Sequence, residues 1–447
     1  MAQSTIAAIA TASGVGSIAI VRLSGVRAIE LAQKVAPKVS FRHREAKLTS
    51  LYNKSNDLID RAIVLYFQGP ASFTGEDIVE FQCHGGAVIA QELLDTLIHY
   101  GAALAKPGEF TQRAFLNGKI DLSEAEAIAK MIETKSVDGA KILARQLKGE
   151  LGLFVQNMRQ ELITLLAHSE VMIDYAQEDI PLDLLERLQR KLGSVEDELY
   201  HIVESSKQRK GLIEGFWLGI VGKPNVGKSS ILNKMLNFDR AIVSDIAGTT
   251  RDTIEEQLRI GTHLVRIADT AGIREASDTI EKLGVERSLK WLEDSDIIIA
   301  VFDASKPFGD EDRKFFEILE RVDKSKVIIV FNKIDIAEVI DRTLFKDYEI
   351  VTISAKESVA PLLSLIESKL NSISHADELM LVSSRQIESV SKALSEIRLA
   401  KDPLFNGELE FFSYHINSAI EALGEITRPF RHEEILDKMF SDFCLGK

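Results

Sequence analysis

Lys228 and Ser229 close the run Gly222–Ser229, GKPNVGKS, which fits the pattern G-x-x-x-x-G-K-[ST]. Backbone N–H groups of such a glycine-rich turn, aimed by the N-terminus of the following helix, wrap a di- or triphosphate. Lys228 then reaches the β- and γ-phosphates, Ser229 holds Mg2+, and Asn225, Val226, Gly227 and Ser230 complete the cradle. Only four positions of the pattern are fixed, so a chance strand–turn–helix would match it too, and downstream residues have to decide. Asn332-Lys333-Ile334-Asp335 follows the apolar run KVIIVF. Asp335 can accept both the ring N–H and the exocyclic amine of guanine, whereas adenine leaves those acceptors unpaired. Lys333 would lie along the base, and Ser354-Ala355-Lys356 would close over it. In Asp269-Thr270-Ala271-Gly272, Asp269 would act on Mg2+ through water and the Gly272 N–H would face the γ-phosphate. Gly248-Thr249-Thr250-Arg251-Asp252 occupies the interval where a switch loop supplies a threonine to Mg2+. Four motifs in this order read as a GTPase.

Two departures matter. In Ras-like enzymes a glutamine after DTAG orients the attacking water; here Ile273 stands there and cannot. Glu281 is the preferred replacement, against the alternative of a helix-surface carboxylate. Asn225 could ligate a monovalent cation where an arginine finger would otherwise place positive charge.

These motifs need elements to hold them. Residues 213 to about 370 alternate apolar strands and helices, as a doubly wound sheet requires; the expected strands are Trp217–Val221, Leu264–Ala268, Ile297–Phe302, Val327–Phe331 and Ile350–Ile353. Residues 1 to about 118 read as α/β, with strands at Ser17–Leu23, Arg61–Phe67 and Asp77–Cys83 and an amphipathic helix at Ala87–His99. From 123 to about 210 the pattern is helical. Ser123 to Glu126 reads as an S-x-x-E capping box, and Leu143, Leu147, Leu151 and Phe154 mark an apolar stripe. Helical patterning returns after 372, so the nucleotide domain is expected as an insertion between two halves of a helical domain.

At 447 residues the length suits about three domains. The net charge of −14 argues against a surface coated for nucleic acid, although local patches survive such a total. The cluster KQRK at 207–210 reads as a solvated linker rather than an RNA contact. Two cysteines provide no disulfide framework. The apolar N-terminus has no Lys or Arg before Arg22, which suits a buried strand better than a secretory signal. No apolar run approaches the ~18 residues of a membrane span. A cytoplasmic protein without membrane partners is expected. His84 beside Gly85 and Gly86, and Cys83, read as structural, and no zinc site is assigned.

The blocks SIAIVRLSG, SFTGED, CHGG and PGEFTQRAFLNGK, together with the terminal FCLGK, carry a resemblance over essentially the whole length. The chain resembles the family of tRNA-modifying GTPases called MnmE or TrmE, with Leu445 a mild departure where isoleucine is expected. The resemblance implies an N-terminal tetrahydrofolate-binding and dimerisation domain over 1–118. It implies a helical domain in two halves, 119–212 and 372–447, around a Ras-like P-loop GTPase domain, 213–371. It implies a homodimer that works on tRNA with the flavin-dependent partner MnmG (GidA), FAD entering only through that partner. The resemblance further implies, as the product, a carboxymethylaminomethyl or aminomethyl group on carbon 5 of the wobble uridine, built with a tetrahydrofolate derivative (5-formyl or methylene). Arg22, Glu80, Lys119 and Lys447 match the folate contacts. Asn225, Ser244, Ile246 and Thr249 match potassium ligands, Asp245 and Ala247 lie in the same nucleotide-facing loop, Ser229 and Thr250 match Mg2+ ligands, and Glu281 matches the water-orienting carboxylate. Cys444 is either a nucleophile or thiol switch near the folate, or a buried structural cysteine. A GTP-switched RNA-binding module for ribosome assembly is the competing class, but it would need a basic appendage that the sequence does not offer. A purely structural scaffold would leave the polar N-terminal turns without a role.

Overall fold

The computed structural model describes residues 4–12, 14–134, 136–174, 184–238, 256–267, 292, 294–373, 379–428, 440, 443 and 446. The chain divides into two compact units: residues 1–129, 146–199 and 383–447 form one, and 130–145 with 200–382 form the other. Among the described residues no helix is long and apolar enough to cross a membrane.

The first unit opens with β1 (Ile6–Ile9), β2 (Ile18–Ser24), α1 (Ala28–Val35), β3 (Lys47–Tyr52), β4 (Leu58–Phe67), β5 (Ile78–His84), α2 (Ala87–His99), β6 (Ala103–Leu104) and α3 (Glu109–Leu116). The six strands form one sheet in the order β3-β4-β5-β2-β1-β6. Strand alternation assigns its faces. Val21, Leu23, Val79 and Phe81 share a buried core with Leu31, Leu93 and Leu97 of α1 and α2. The intervening Arg22, Ser24 and Glu80 therefore fall on the opposite face, where Phe110 of α3 joins Ile6 and Ala8. The sequence places β2, β4, β5 and α2 closely, although β4 starts earlier, at Leu58. It does not single out β3, whose KLTSLY carries too much polar character for an apolar-run criterion.

The unit continues with α4 (Leu122–Glu133), α5 (Val137–Gln146), α6 (Glu150–Asp174) and α7 (Leu184–Gln208), of which α5 and the ends of α4 and α7 belong to the second unit. It is completed by α12 (Ser384–Asn406) and α13 (Leu409–Thr427), with α13 packed along both α6 and α12. Ser169 of α6 and Ser413 of α13 bring their hydroxyls within 3.0 Å. Two expectations are corrected here. The cap of α4 is Asp121 with Glu124, not Ser123 with Glu126: Glu124 N donates to Asp121 Oδ1 at 2.8 Å and Asp121 N to Glu124 Oε2 at 2.6 Å. Aspartate caps as well as serine, so starting the helix at Leu122 satisfies the same two donors. The apolar stripe is also not continuous, because the helix breaks at 147–149, where Gly149 adopts φ 79°. Leu143 thus belongs to α5 and Leu151 to α6, while Leu147 and Phe154 are only half-buried.

Released from capping, Glu126 becomes a hub. Its Oε1 accepts from Arg385 Nε at 2.7 Å, and its Oε2 accepts from Gln386 Nε2 at 2.6 Å and Ser383 Oγ at 3.2 Å. Arg385 also donates to the carbonyls of Glu425 and Ile426 at the end of α13. One carboxylate therefore joins α4, the start of α12 and the end of α13. Glu126→Ala is expected to cost about 2–3 kcal/mol, since it strands a charged donor and an amide. The measurement is the denaturant midpoint of the whole chain; an unshifted midpoint would deny Glu126 that role.

The second unit contains α8 (Gly211–Glu214), β7 (Phe216–Gly222), α9 (Lys228–Phe238), β8 (Glu256–Ile260), β9 (His263–Ile267), β10 (Ile297–Asp303), α10 (Asp310–Leu319), β11 (Val327–Asn332), β12 (Glu349–Thr352) and α11 (Ala360–Ile373). Its sheet runs β12-β11-β10-β7-β9-β8, parallel except for the β8–β9 hairpin. β10 and β11 are buried along their whole length, as central strands covered on both faces must be. The strand order switches direction at β7, so the carboxyl end of β7 opens a crevice suited to a ligand. The lysines of KQRK pair with carboxylates, Lys207 with Glu204 at 2.9 Å and Lys210 with Glu214 at 3.1 Å.

Candidate GTP site and N-terminal cleft

At the carboxyl end of β7 the chain enters Gly222–Gly227 and then α9. Gly222 has φ 149° and Gly227 φ 105°. A Cβ on Gly222 would strike Val301 O, and one on Gly227 would strike Asn332 Nδ2, so both positions require glycine on two counts. Lys228 folds back over the loop and donates to Gly222 O at 2.6 Å and Lys223 O at 2.7 Å. Burial pushes its pKa down. Asn225, Ser229 and Ser230 are exposed at the loop's rim, and Val226 is buried beneath it.

The base motif is partly scaffold. Asn332 Nδ2 donates to Val226 O at 2.8 Å, and its Oδ1 accepts from Ala355 N at 2.9 Å. One buried amide thus ties the phosphate loop to the Ser354–Lys356 loop. Lys333 Nζ donates to Asn225 O at 2.6 Å and to Asp303 Oδ2 at 2.7 Å. Lys234 Nζ reaches Lys356 O at 3.2 Å. Asp335 is exposed beside this frame, and the buried Ser354 Oγ has no partner among the described residues. The structure therefore brings Asn225–Ser230, Asn332, Lys333, Asp335 and Ser354–Lys356 to one end of one sheet. Ser244–Thr250, Asp269–Gly272, Ile273 and Glu281 lie outside the described residues.

Two aspartates that the motifs do not name complete the frame. Asp303 ends β10, and burial alone would raise its pKa; hydrogen bonds from Lys333 and Ser305 outweigh that and hold it low. Asp312 accepts from Lys223 Nζ at 2.6 Å and from Gly309 N at 2.9 Å, pinning the loop's second residue to the start of α10. The signal for Asp303 was a carboxylate closing the otherwise apolar run IIIAVFD.

On the N-terminal sheet Arg22 and Glu80 are direct cross-strand partners. Arg22 Nε and Nη2 both bond Glu80 Oε1, at 2.8 and 2.7 Å, and the guanidinium lies 5.6 Å from the Phe110 ring centroid. Lys119 donates to Pro70 O at 2.9 Å and lines a cleft of about 440 Å³ with Val26, Gly75, Glu76, Asp77 and Asn117. Ser24, next after Arg22 on the same strand face, donates to Glu76 Oε2 at 2.7 Å, so the ion pair and the cleft are neighbours. Gly446 adopts φ 87°, and a Cβ there would press on Ile9 O and approach Ala10 Cα at 3.1 Å. Gly446 thus lies against the end of β1, whose Ala8 pairs with Arg22. Cys444 and Lys447 lie outside the described residues. Cys83 is buried with its thiol on Ala19 O at 3.4 Å, and burial raises its pKa, which disfavours the thiolate. His84 bonds Asp60 Oδ1 through Nδ1 at 2.8 Å.

A family model described as the MnmE helical domain matches residues 122–444, and one described as the GTP-binding protein TrmE N-terminus matches residues 5–119. The chain belongs to the MnmE family. It is 57% identical over 445 residues to the tRNA modification GTPase MnmE of a Sulfurovum species, covering 100% of this chain and 99% of the relative. It is 58% identical over 446 residues to the MnmE of a Nitratiruptor species, covering 100% and 99%. Against the MnmE of Sulfurimonas denitrificans it is 54% identical over 449 residues, with both chains covered completely. The architecture is that of the family: an N-terminal α/β domain and a helical domain interrupted by a Ras-like P-loop GTPase domain. The protein is a GTPase of tRNA modification.

Proposed function

We propose that this chain hydrolyses GTP in a potassium-dependent manner and that the cycle drives a wobble-uridine modification performed with the flavin-dependent partner MnmG. The product is a carboxymethylaminomethyl or aminomethyl group on carbon 5 of the wobble uridine of certain tRNAs. The observation that carries this reading is the pairing of two sites in one chain: the guanine-nucleotide frame at β7, and the Arg22–Glu80 and Lys119 cleft at the N-terminal sheet, with Gly446 against the end of β1. The relatives named above are tRNA modification GTPases, which supports tRNA as the substrate and the cytoplasm as the place of action.

In the GTPase domain, 213–371, the loop N–H groups and Lys228 hold the phosphates while Asp335 reads the base. Ser229 presents an exposed hydroxyl at the start of α9, a hard oxygen donor suited to Mg2+, and Thr250 is its proposed companion. Mg2+ supplies charge neutralisation at the β- and γ-phosphates. Asn225 offers an amide oxygen at the loop rim for K+, with Ser244, Ile246 and Thr249. Glu281 orients the water that Ile273 cannot, and the Gly272 N–H faces the γ-phosphate.

The N-terminal part, 1–118, is proposed to bind a tetrahydrofolate derivative and to dimerise, with the helical halves 119–212 and 372–447 carrying the GTPase domain. The residues fit such a ligand. Lys119 lines the cleft as a cation for an anionic tail, and Glu80 keeps Oε2 outside its bond to Arg22, available to paired pterin donors. Lys447 and Cys444 are proposed to complete that site. The test is mass spectrometry of tRNA nucleosides from cells lacking this protein. The modified wobble uridine is expected to disappear; its persistence at normal levels would refute the reading.

A further inference from the structure

Two non-glycine residues of the nucleotide frame, Asn225 (φ 64°) and Lys333 (φ 69°), adopt the left-handed conformation. That conformation costs free energy for any residue with a Cβ, and it persists only where the surroundings impose it. The two are bonded to each other: Lys333 Nζ donates to Asn225 O at 2.6 Å. A lysine side chain is long and rotamer-rich, so a single carbonyl does not fix it. The second anchor is Asp303, whose Oδ2 accepts from the same Nζ at 2.7 Å. Asp303 is itself held: its Oδ1 accepts from Ser305 N at 3.1 Å and Ser305 Oγ at 2.6 Å, and the residue is only 7% exposed. Register adds to this, because Asp303 lies directly opposite Asn332 in the β10–β11 pairing, one residue before Lys333.

We propose that Asp303 is a positioning residue for guanine-nucleotide binding: it fixes the Lys333 ammonium so that the lysine stem lies flat where the base stacks and the phosphate loop is held through Asn225 O. Asp303 touches neither base nor phosphate. It acts through Lys333, and Ser305 sets its carboxylate. The inference rests on the Asn332–Asp335 loop being the base site.

The experiment is a double-mutant cycle on the full chain, read by titration with a fluorescent guanosine diphosphate. Asp303→Asn is expected to weaken binding about tenfold, the loss of one charge-assisted bond. In a Lys333→Ala background the same change should add less than about twofold, because the partner is already gone. Steady-state GTP hydrolysis should show KM rising in parallel while kcat falls by less than about threefold. Ser305→Ala, a milder change, should weaken binding about threefold and also lose its effect in the Lys333→Ala background. If Asp303→Asn does not fold, the Ser305→Ala cycle decides. Losses that multiply in the double variants, or single variants that bind as the parent does, overturn the positioning role while leaving the base site standing. A Lys333→Ala protein that binds normally overturns both.

Discussion

Asp335→Asn converts the site from guanosine toward xanthosine nucleotides. Guanine offers a ring N–H and an exocyclic amine to the carboxylate. Xanthine replaces that amine by a carbonyl, which an asparagine NH2 can satisfy. Loss of two bonds to a charged acceptor should lower GTP affinity by about 10²–10⁴-fold, with xanthosine triphosphate gaining by comparison. The fold should not suffer. Asp335 is exposed, and the bonds that hold the frame together belong to Asn332 and Lys333. The nucleotide-free melting temperature is therefore expected to stay within about 2 °C of the parent. Competition binding with the two triphosphates gives the answer, and unchanged GTP preference would remove Asp335 from the base site.

The second large effect concerns the cation. An arginine finger is worth about 10³–10⁵ in rate where a GTPase has one. With Ile273 after DTAG and Asn225 at the loop rim, hydrolysis in potassium is expected to exceed that in sodium by at least about tenfold. The informative variant is Asn225→Gly. Alanine would meet strain at φ 64°, whereas glycine keeps the left-handed backbone and the carbonyl that Lys333 binds, removing only the amide. Phosphate release from Asn225→Gly should become nearly indifferent to the choice of cation, with guanosine diphosphate still bound. Equal rates for the parent in both salts would end the potassium assignment.

What the sequence makes legible follows the reach of its signals. β10 and β11 are unmistakable because a strand covered on both faces must be apolar throughout, and GKPNVGKS announces its turn because glycine alone tolerates Gly222 and Gly227. The roles inside a motif are less visible. NKID names four residues together, yet Asn332 is an internal tie, Lys333 a bridge and Asp335 an exposed carboxylate, a division that depends on where β11 ends. Asp312 was silent because a lone carboxylate carries no spacing pattern, and Asp303 showed only as the polar end of an apolar run, with nothing to name its partner. The cap of α4 was misplaced because Asp121 and Ser123 both satisfy the same local rule, and only the distant Arg385 and Gln386 explain why Glu126 is spent elsewhere. At the N-terminal sheet, SFTGED and PGEFTQRAFLNGK are recognisable as polar turns, but their joining depends on Asn117 Nδ2 donating to Thr74 O and Arg113 Nη1 to Glu76, contacts 43 and 37 residues apart.

Phe440 and Phe443 press on Gly108, the Phe440 ring stands 6.4 Å from that of Phe115, and Gly446 abuts Ile9. In the order of synthesis these partners are separated by most of the polypeptide. The α/β domain leaves the ribosome first, yet the surface around Phe115 stays bare while the whole GTPase domain is translated. Contacts of such long sequence separation form late and slowly. A premature stop between residues 382 and 440 would therefore release a product whose nucleotide unit is complete and whose first unit lacks these contacts.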